Sequence, residues 1–313
     1  MNAAIFAEWL RRQGRHVVRT PSSYWYDVSR RVYQAFPYFW QIAPSEAELS
    51  HLLFKEGAIA LRYSTSAGAP QGKVSYHVVC ERPYDLGTLP RTTRQNVTRG
   101  LEYARVEPIA ISRLATEGWA MRLDTLQRQG RVDAENEKWW RHLCHSAADL
   151  PGFEAWGAIH DGELVASCLA FVCDDYYMIP YQQSASAHLP HRVNNAFFFK
   201  VAHQALQRPD KQTVFFCLQS LDAPASVDDF KFRMGFTALP VRQRVAFHPW
   251  LAPLLGPGSH AMLKHWVARY PQKTVLAKAE GMVRFYLEGQ RPPESQEWPE
   301  ELPAHRSGLL PTQ

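Results

Sequence analysis

The 313-residue sequence lacks several patterns that mark common classes of protein. It has no run of five Lys or Arg residues, which argues against a nucleic-acid-binding tail. It also has no uninterrupted apolar run of the roughly 18 residues that would indicate a membrane-spanning helix. H-E-x-x-H and G-x-S-x-G are both missing, so a zinc hydrolase and a serine hydrolase of the nucleophile-elbow type are unsupported.

Cysteine is scarce and has no paired spacing. No C-x-x-C occurs, the total is odd, and three of the cysteines fall in predicted apolar strands, which favours buried reduced thiols over disulfides or a metal site. The first 15 residues carry Glu8, Arg11 and Arg12 without a continuous apolar core, so they do not resemble a secretory signal. We therefore expect a cytoplasmic protein with no metal. The five cysteines are Cys80, Cys144, Cys168, Cys173 and Cys217.

The composition is that of a folded chain. Hydrophobic residues make up 46% and charged residues 21%, which fits a globular enzyme better than a disordered segment. The length is sufficient for two domains of about 150 residues each. The net charge of +5 permits an anionic substrate such as a coenzyme, a nucleotide sugar or tRNA without requiring nucleic acid.

The order of predicted elements is clearest between residues 153 and 247. Asp161 and Gly162 lie between two apolar runs, a strong hairpin signal because both turn positions favour a positive φ. The order from there is β-β-β-α-β-α-β. The predicted elements are strands 153–159, 164–172, 176–184 and 213–218, helices 191–206 and 224–234, and a last strand that ends near Phe247.

The flanking regions give further predictions. Ser45 and Glu48 form a capping box at the start of a helix that continues to about Lys55, and strand 74–80 alternates enough to be half-buried. A linker is expected at 251–258 and a loose, proline-rich tail at 291–313. The other predicted elements are helices 3–13, 24–37, 92–103, 111–129, 134–148, 260–270 and 274–288, and strands 58–63 and 106–111.

The β-β-β-α-β-α-β order, together with Phe230-Lys231 and Gly235-Phe236 near its end, resembles the GNAT acyltransferase superfamily. The similarity is closest to its two-domain branch, which includes the Fem-type (FemAB-like) peptidoglycan aminoacyl transferases and related envelope or polysaccharide acyltransferases. It covers about residues 91–248. The resemblance implies an α/β (α+β) fold with a mixed central sheet flanked by helices, built as a tandem of a degenerate and a full GNAT-like domain.

This resemblance implies a domain organisation and a function. We expect a divergent N-terminal half at 1–88, an acyltransferase domain at 89–250, and a helical extension with its tail at 251–313. The implied activity moves an acyl group from an acyl-CoA-type thioester to an amine. Two alternatives remain open: aminoacyl-tRNA-dependent transfer to a cell-envelope precursor or small-molecule amine, and a non-catalytic binding module on a decayed acyltransferase fold. The donor would be a co-substrate, and no permanently bound cofactor is expected.

The resemblance also indicates where the chemistry would occur. The donor's carbonyl is expected where strand 176–184 splays away from the strand that starts at Thr213, with a kink or bulge at Pro180, which cannot donate a ladder hydrogen bond. Lys231 stands four residues before Gly235, where many acetyl-transferring members have a proton-donating Tyr, so it is the predicted catalytic residue. No general base is identified, since Asp174 and Asp175 look like turn residues.

The expected donor-binding loop departs from the superfamily's pattern. The usual signature, Q/R-x-x-G-x-G/A, provides glycines that let the backbone wrap a pyrophosphate at a helix N-terminus, but no glycine lies between Gln183 and Asn195. Polar side chains cluster there instead. The predicted cofactor-binding residues are Gln182, Gln183, Ser184, Arg192, Asn194 and Asn195, and the predicted substrate-binding residues are Arg94, Arg99, Tyr181 and Phe230.

Overall fold

The computed structural model describes residues 3–131, 135–210, 213–221 and 226–302. The helices within them are α1 (Ala3–Arg12), α2 (Glu46–Ser50), α3 (Arg91–Tyr103), α4 (Ile111–Arg128), α5 (Glu137–His145), α6 (Val193–Leu206), α7 (Ser226–Arg233), α8 (Pro257–Arg269) and α9 (Thr274–Gly289). The strands are β1 (Val17–Arg19), β2 (Tyr24–Ser29), β3 (Val32–Phe36), β4 (Ala60–Thr65), β5 (Lys73–Glu81), β6 (Arg105–Ile109), β7 (Phe153–His160), β8 (Glu163–Cys173), β9 (Tyr176–Ser184), β10 (Thr213–Leu218) and β11 (Thr237–Phe247).

The chain forms two compact units, each assembled from several stretches of sequence. Unit 1 comprises Met1–Gln13, Val78–Cys217 and Pro224–Thr237, and unit 2 comprises Gly14–His77, Leu218–Ala223 and Ala238–Gln313. This grouping rests on contacts in the folded chain. The segments 1–88, 89–250 and 251–313, which were inferred from a resemblance along the sequence, stay a prediction.

The predicted β-β-β-α-β-α-β order is confirmed, and all of its elements except the last strand, β11, belong to unit 1. The pairs β6–β7, β7–β8 and β8–β9 are antiparallel, and the pair β9–β10 is parallel. The hairpin between β7 and β8 turns at Asp161 and Gly162, whose φ values are 49° and 85°. Helix α6 provides the crossover that a parallel pair requires. The beginnings of the predicted helices 134–148 and 224–234 lie outside the described residues.

Aromatic side chains fill the core of unit 1 on the side of α1. Phe6 and Trp9 of that helix lie 5.2 Å from the Phe171 ring and 4.9 Å from the Phe153 ring respectively. The buried indole of Trp140 donates a hydrogen bond to the Leu114 carbonyl over 3.2 Å, so its polar group is satisfied. This packing fixes α4 and α5 against the same sheet.

Helices α3 and α6 approach so closely that only glycine fits at one position. A Cβ on Gly100 would lie 2.7 Å from the Ala196 Cβ and would also clash with the Arg192 carbonyl. Real Cβ atoms do not tolerate such separations, and the surrounding core is densely packed. Gly100 thereby sets the position of the loop that enters α6.

In unit 2, the strands lie in the order β1-β2-β3-β4-β11. The capping box is confirmed, because Ser45 Oγ accepts from the Glu48 amide and the Glu48 carboxylate accepts from the Ser45 amide. The predicted helix 24–37 is wrong. The chain there forms a β2–β3 hairpin whose turn has Arg31 at φ 62°. Aromatic and β-branched residues favour a pleated surface, and Trp25 and Tyr33 are buried in the core of this unit.

Strand β5 is more deeply buried than predicted, and residues far along the chain bond to its first two residues. All its residues from Lys73 to Cys80 are buried. The Gln296 Oε1 accepts a hydrogen bond from the Val74 amide over 2.7 Å, and the Lys73 Nζ donates to the Glu297 carbonyl. The prediction of a loose tail is therefore wrong for residues 291–302, which include these partners of β5, and residues 303–313 lie outside the described part of the chain.

The residues after β11 are largely helical. The expected linker 251–258 contains a 3₁₀ turn (Ala252–Leu254), and α8 begins at Pro257, where a missing N–H costs nothing. The His260 ring and the Glu280 carboxylate, 2.6 Å apart, join α8 to α9. Among the helices of the described ranges, none has the length and apolar character needed to cross a bilayer.

Candidate functional site

Strands β9 and β10 separate after only three residue pairs. Their parallel register runs from Tyr176↔Thr213 to Met178↔Phe215 and, within the described residues, ends there. Beyond that point β9 remains paired with β8 as far as Ser184↔Ala166. The edge of β9 beyond Met178 therefore has no strand partner in β10 among the described residues. This is the splay expected from the sequence, and we call it the β9–β10 opening.

A bulge in β9 coincides with the beginning of this opening. The β8–β9 register shifts between Leu169↔Tyr181 and Phe171↔Met178, so Ile179 and Pro180 together oppose the single residue Ala170. A proline cannot donate a ladder hydrogen bond, and bulges re-aim the strand that carries them. The predicted irregularity at Pro180 is confirmed and lies where β9 diverges from β10.

Lys231 of α7 points at the part of β10 that has no partner in β9. Its ammonium lies 3.0 Å from the Cys217 Sγ, 5.0 Å from the centre of the Phe216 ring and 2.5 Å from the Asp228 Oδ1. Only 8% of Lys231 is exposed. The residue predicted to be catalytic is thus a buried, paired cation beside the β9–β10 opening, which excludes the simple alternative of a solvated surface lysine.

The surroundings of Lys231 keep it charged. Burial opposes the ammonium, but the neighbouring Cys217 and Asp228 outweigh this effect, so that the pKa of Lys231 is raised above its ordinary value. An amine in this state does not accept a proton near neutral pH. Lys231 can therefore provide positive charge and hydrogen bonds, and it cannot serve as the general base.

Polar side chains of β9 and α6 also lie near the opening. The Gln182 side-chain amide of β9 donates to the Asn194 Oδ1 of α6 over 3.1 Å. Asn195 Nδ2 lies 3.4 Å from the Met234 Sδ, just after α7. The structure thus links three of the predicted donor-binding residues to the elements around the opening.

Two other residues of the predicted donor-binding set are buried and bonded to protein. The side-chain amide of Gln183 donates to the Ser167 Oγ over 2.7 Å. The backbone amide of Ser184 donates to the Thr125 Oγ1 over 3.2 Å. These bonds hold β9 to β8 and α4. Contact of Gln183 or Ser184 with a cofactor stays a prediction, and their visible contacts are structural.

Arg192 marks the entry into α6. It has a left-handed backbone with φ 64°, its side chain is exposed, and its carbonyl accepts from the Asn195 and Ala196 amides. Arg94 and Arg99 are exposed on α3, the helix whose Gly100 packs on the Arg192 carbonyl. Exposed arginines thus occur both at the start of α6 and on α3, which packs against it. Their contact with an anionic substrate stays a prediction.

The predicted substrate residues Tyr181 and Phe230 lie in different surroundings. The Tyr181 ring is 6.3 Å from Trp9, 6.1 Å from Trp139 and 6.2 Å from Trp140. The Phe230 ring contacts Phe198 of α6 at 5.4 Å. Phe230 accompanies Lys231 beside the opening, whereas Tyr181 belongs to an aromatic cluster built by α1 and α5.

The sequence analysis did not single out Asp228 and Cys217 as partners of Lys231. Asp228 precedes Lys231 by three positions on one helix, a spacing that brings side chains together, so it could have been found. Cys217 was interpreted only as a buried thiol, and its contact with Lys231 depends on tertiary structure. Among the described residues, no group of three or more His, Cys, Asp or Glu side chains could hold a metal ion.

No protein-family model matches the chain, and the comparison with curated proteins gives no match. Solved structures do show the same fold. FemX is similar with a TM-score of 0.54 at 10% identity, over 80% of this chain and 93% of that one. The C-terminal domain of a putative lysylphosphatidylglycerol synthetase from Agrobacterium fabrum is similar with a TM-score of 0.52 at 15% identity, over 86% and 92%.

A third solved structure extends the comparison. A conserved protein of unknown function from Bacteroides thetaiotaomicron matches with a TM-score of 0.50 at 12% identity, over 77% of this chain and 88% of that one. These likenesses show the mixed α/β fold that was expected, one shared with FemX and with the synthetase domain. At such identities a shared fold does not carry a shared substrate, so the function must be argued from the site.

Proposed function

We propose that this protein transfers an acyl group from an activated donor to an amine. The observation that carries the proposal is the β9–β10 opening with a buried lysine beside it. Pairing of the two strands stops at Met178↔Phe215, and Lys231 lies against Phe216 and Cys217 immediately beyond. An opening between strands offers backbone hydrogen bonds to an extended donor chain, and a fixed cation stabilises charge that develops as the acyl bond breaks.

In this mechanism Lys231 stabilises the leaving group. Attack of an amine on the donor's carbonyl produces an oxyanion, and its collapse places negative charge on a departing thiolate or ribose oxygen. The raised pKa of Lys231, caused by Cys217 and Asp228 against the effect of burial, keeps the ammonium available for that charge. Asp228 holds Lys231 in place, and the contact with Phe216 limits water access. Removal of the amine's proton is assigned to water, since the Asp228 carboxylate is paired with Lys231.

The preferred donor is an acyl-CoA-type thioester. The polar residues Gln182, Arg192, Asn194 and Asn195 between β9 and α6 would take the place of the missing glycine-rich loop in contacting its phosphates. A charged tRNA would present the same combination of an anionic backbone and an acyl ester, so aminoacyl-tRNA is the alternative donor. We assign the acceptor to the class of small-molecule or envelope-precursor amines in the cytoplasm, as the Fem-like fold suggests.

Two observations favour a different function, that of a non-catalytic binding module. The Lys231 charge is already paired with Asp228 at 2.5 Å, and the loop before α6 has no glycine between Gln183 and Asn195. A decayed acyltransferase that only binds a ligand would show both features. Turnover distinguishes this alternative from the enzyme.

The proposal is tested by incubating the full chain with a panel of radiolabelled acyl-CoAs and charged tRNAs in the presence of a mixture of primary amines. Transfer of label to an amine, saturable in one donor class, is the expected result. Binding of a donor without transfer would indicate the binding module. Neither binding nor transfer with either class would overturn both enzymatic functions.

A further inference from the structure

The outer face of α8 exposes large apolar side chains. Met262 and Trp266 are 58% and 46% exposed, and their four-residue spacing places them on one face of the helix. The opposite face, which includes His260, is turned toward α9 through the 2.6 Å contact of that ring with Glu280. The exposure of Met262 and Trp266 is therefore a property of one side of the helix.

The segments on either side of α8 also expose large apolar side chains. Leu254 and Trp250, before the helix, are 68% and 64% exposed, and Val275, at the start of α9, is 75% exposed. Single exposed apolar residues need no explanation, but several within one short stretch of a surface usually mark an interaction site. Five such residues occur between Trp250 and Val275.

The same stretch carries only positive charge. No Asp or Glu occurs from residue 230 to residue 279, whereas Lys264, Arg269, Lys273 and Lys278 all fall between 250 and 279. All four side chains are exposed. Since the chain as a whole has 30 acidic residues, an acid-free stretch of this length is a local feature. Its charge is complementary to an anionic surface.

A cleft between α8 and α9 adds a place for an anionic group. It has a volume of about 270 Å³ and is lined by Lys264, Arg284 and Arg291, with His260 and Glu288. Arg291 pairs with Glu288 at 2.7 Å and Arg284 pairs with Glu280 at 3.4 Å, so the excess positive charge of the lining is that of Lys264. Lys264 belongs both to this cleft and to the exposed part of α8.

We propose that α8 and its flanking residues Trp250–Lys278 dock this protein on a membrane surface rich in anionic phospholipids. Tryptophan and aliphatic side chains insert at the boundary between headgroups and acyl chains, while Lys and Arg bind the phosphates. Nucleic acid would explain the cations but would leave Met262, Leu254 and Val275 exposed to water. This inference is independent of the proposed acyl transfer.

The length of α8 decides how it binds. A helix of 13 residues spans about 20 Å, less than the roughly 30 Å of the hydrocarbon core. It therefore lies along the surface rather than crossing the bilayer. Binding of this kind is reversible and depends on ionic strength, because exposed charges are screened by salt.

Vesicle flotation of the full chain tests the proposal. The probe is a vesicle of phosphatidylcholine alone or with about 30% phosphatidylglycerol, in low and in about 0.5 M salt. The parent should float with the anionic vesicles at low salt, much less at high salt, and not with neutral vesicles. The paired change Met262→Gln with Trp266→Gln, and separately Lys264→Gln with Arg269→Gln, should each weaken binding about tenfold.

The matched control changes Val28→Gln with Arg30→Gln, which alters one exposed apolar residue and one exposed cation on the β2 hairpin of the same unit. It should bind like the parent. All variants should keep the parent's circular dichroism spectrum, because the changed side chains are exposed. Equal loss in the control, absence of vesicle binding, or α8-dependent binding of RNA would overturn the proposal. So would concentration-dependent self-association abolished by Trp266→Gln, which would assign the face to a second copy of the chain.

Discussion

At the scale of single residues, Lys231 has three close partners. The Asp228 carboxylate fixes its position, the Cys217 sulfur lies 3.0 Å away and the Phe216 ring lies beneath the ammonium. Burying a cation without a partner is costly, so the pair with Asp228 is what allows Lys231 to be charged beside the opening. Any substitution of Lys231 must therefore separate the effect of losing its charge from the effect of leaving the buried Asp228 carboxylate without its partner.

We predict that Lys231 contributes to turnover more than to donor binding. Because a stranded Asp228 would destabilise the fold, the informative comparison is Asp228→Asn alone against Lys231→Ala with Asp228→Asn. The double variant should lose on the order of 10²-fold in kcat, equivalent to about 3 kcal/mol, with an almost unchanged dissociation constant for the donor. Asp228→Asn alone should retain most activity. Steady-state kinetics and equilibrium donor binding provide both quantities.

The control and the diagnostic replacements sharpen this test. Lys138→Ala removes an exposed lysine of α5 in the same unit and should behave like the parent. Recovery of activity by Tyr at position 231 would point to proton donation to a thiolate, whereas recovery by Arg alone would point to charge neutralisation and a tRNA-type donor. Turnover of the double variant at the rate of Asp228→Asn alone would remove Lys231 from the mechanism.

Arg192 is predicted to bind the donor's phosphates. The change Arg192→Asn removes the cation while keeping a residue that tolerates the left-handed φ of 64° found there. The donor should bind more weakly, and its affinity should depend less on salt because one charge-assisted contact is lost. Titration calorimetry at two ionic strengths measures both effects. The same affinity as the parent at low salt would refute the assignment.

His77 gives a prediction about acid stability. Burial, and to a smaller extent the charge of Arg62, lowers the pKa of His77 to about 3. In the unfolded chain the histidine takes up a proton near pH 6.5, whereas in the folded chain it stays neutral until the pH approaches 3. The free energy of unfolding therefore has its full value above pH 6.5 and decreases as the pH falls from 6.5 toward 3. Between pH 7 and 4.5 this should cost about 3 kcal/mol in the free energy of unfolding.

Denaturant unfolding at both pH values, for the parent and for His77→Gln, isolates this effect. The variant should be less stable than the parent at pH 7, because the His77 ring bonds to the Ser64 Oγ at 2.8 Å. Its loss of stability on acidification should be smaller than that of the parent. Identical losses in the two proteins would show that His77 does not cause the acid sensitivity.

At the scale of elements, the contact between α3 and α6 positions the loop that enters α6. Gly100→Ala should destabilise unit 1 by about 1–3 kcal/mol, because the new Cβ meets the Arg192 carbonyl and the Ala196 Cβ. Gly258→Ala is the matched change, since its Cβ would have no neighbour within 4 Å and alanine favours helix. Thermal unfolding should show a lower Tm for the first and no decrease for the second.

The elements also show what a sequence can and cannot predict. The bounds of β9, β10 and the end of β11 were predictable, because their apolar runs lie between clear turn residues. The hairpin of β2 and β3 was missed, because aromatic residues at 24–36 fit a helical face as well as a strand. The bonds that hold the start of β5 could not be predicted, because their partners, such as Gln296, follow more than 200 positions later.

The site was predictable to a similar extent. The family resemblance implied the opening and the role of Lys231, and the proline in β9 indicated the bulge. The pairing of Lys231 with Cys217 depends on how α7 packs on β10, and the structural bonds of Gln183 and Ser184 depend on α4. The sequence motifs thus indicated the region around β9, β10 and Lys231. The contacts of each side chain could be identified only from the tertiary structure.

At the scale of the whole molecule, the fold positions the chemistry within one of its compact units. Unit 1 contains β9, β10, α6 and α7, which supply the opening, the polar loop and Lys231. Unit 2 contains α8 and α9 and the proposed membrane-docking face. Each unit can therefore be tested by variants that leave the other unit's residues unchanged.

The central claim is that the β9–β10 opening holds the donor. Hydrogen exchange measured by mass spectrometry, with and without the donor identified by the panel, tests it most directly, because a bound donor would slow exchange in the backbone segments that line the opening. We predict slower exchange for peptides covering residues 179–184 and 216–217, and unchanged exchange for the β2–β3 hairpin. Saturating donor that protects other segments and leaves both of these peptides unaffected would contradict the account.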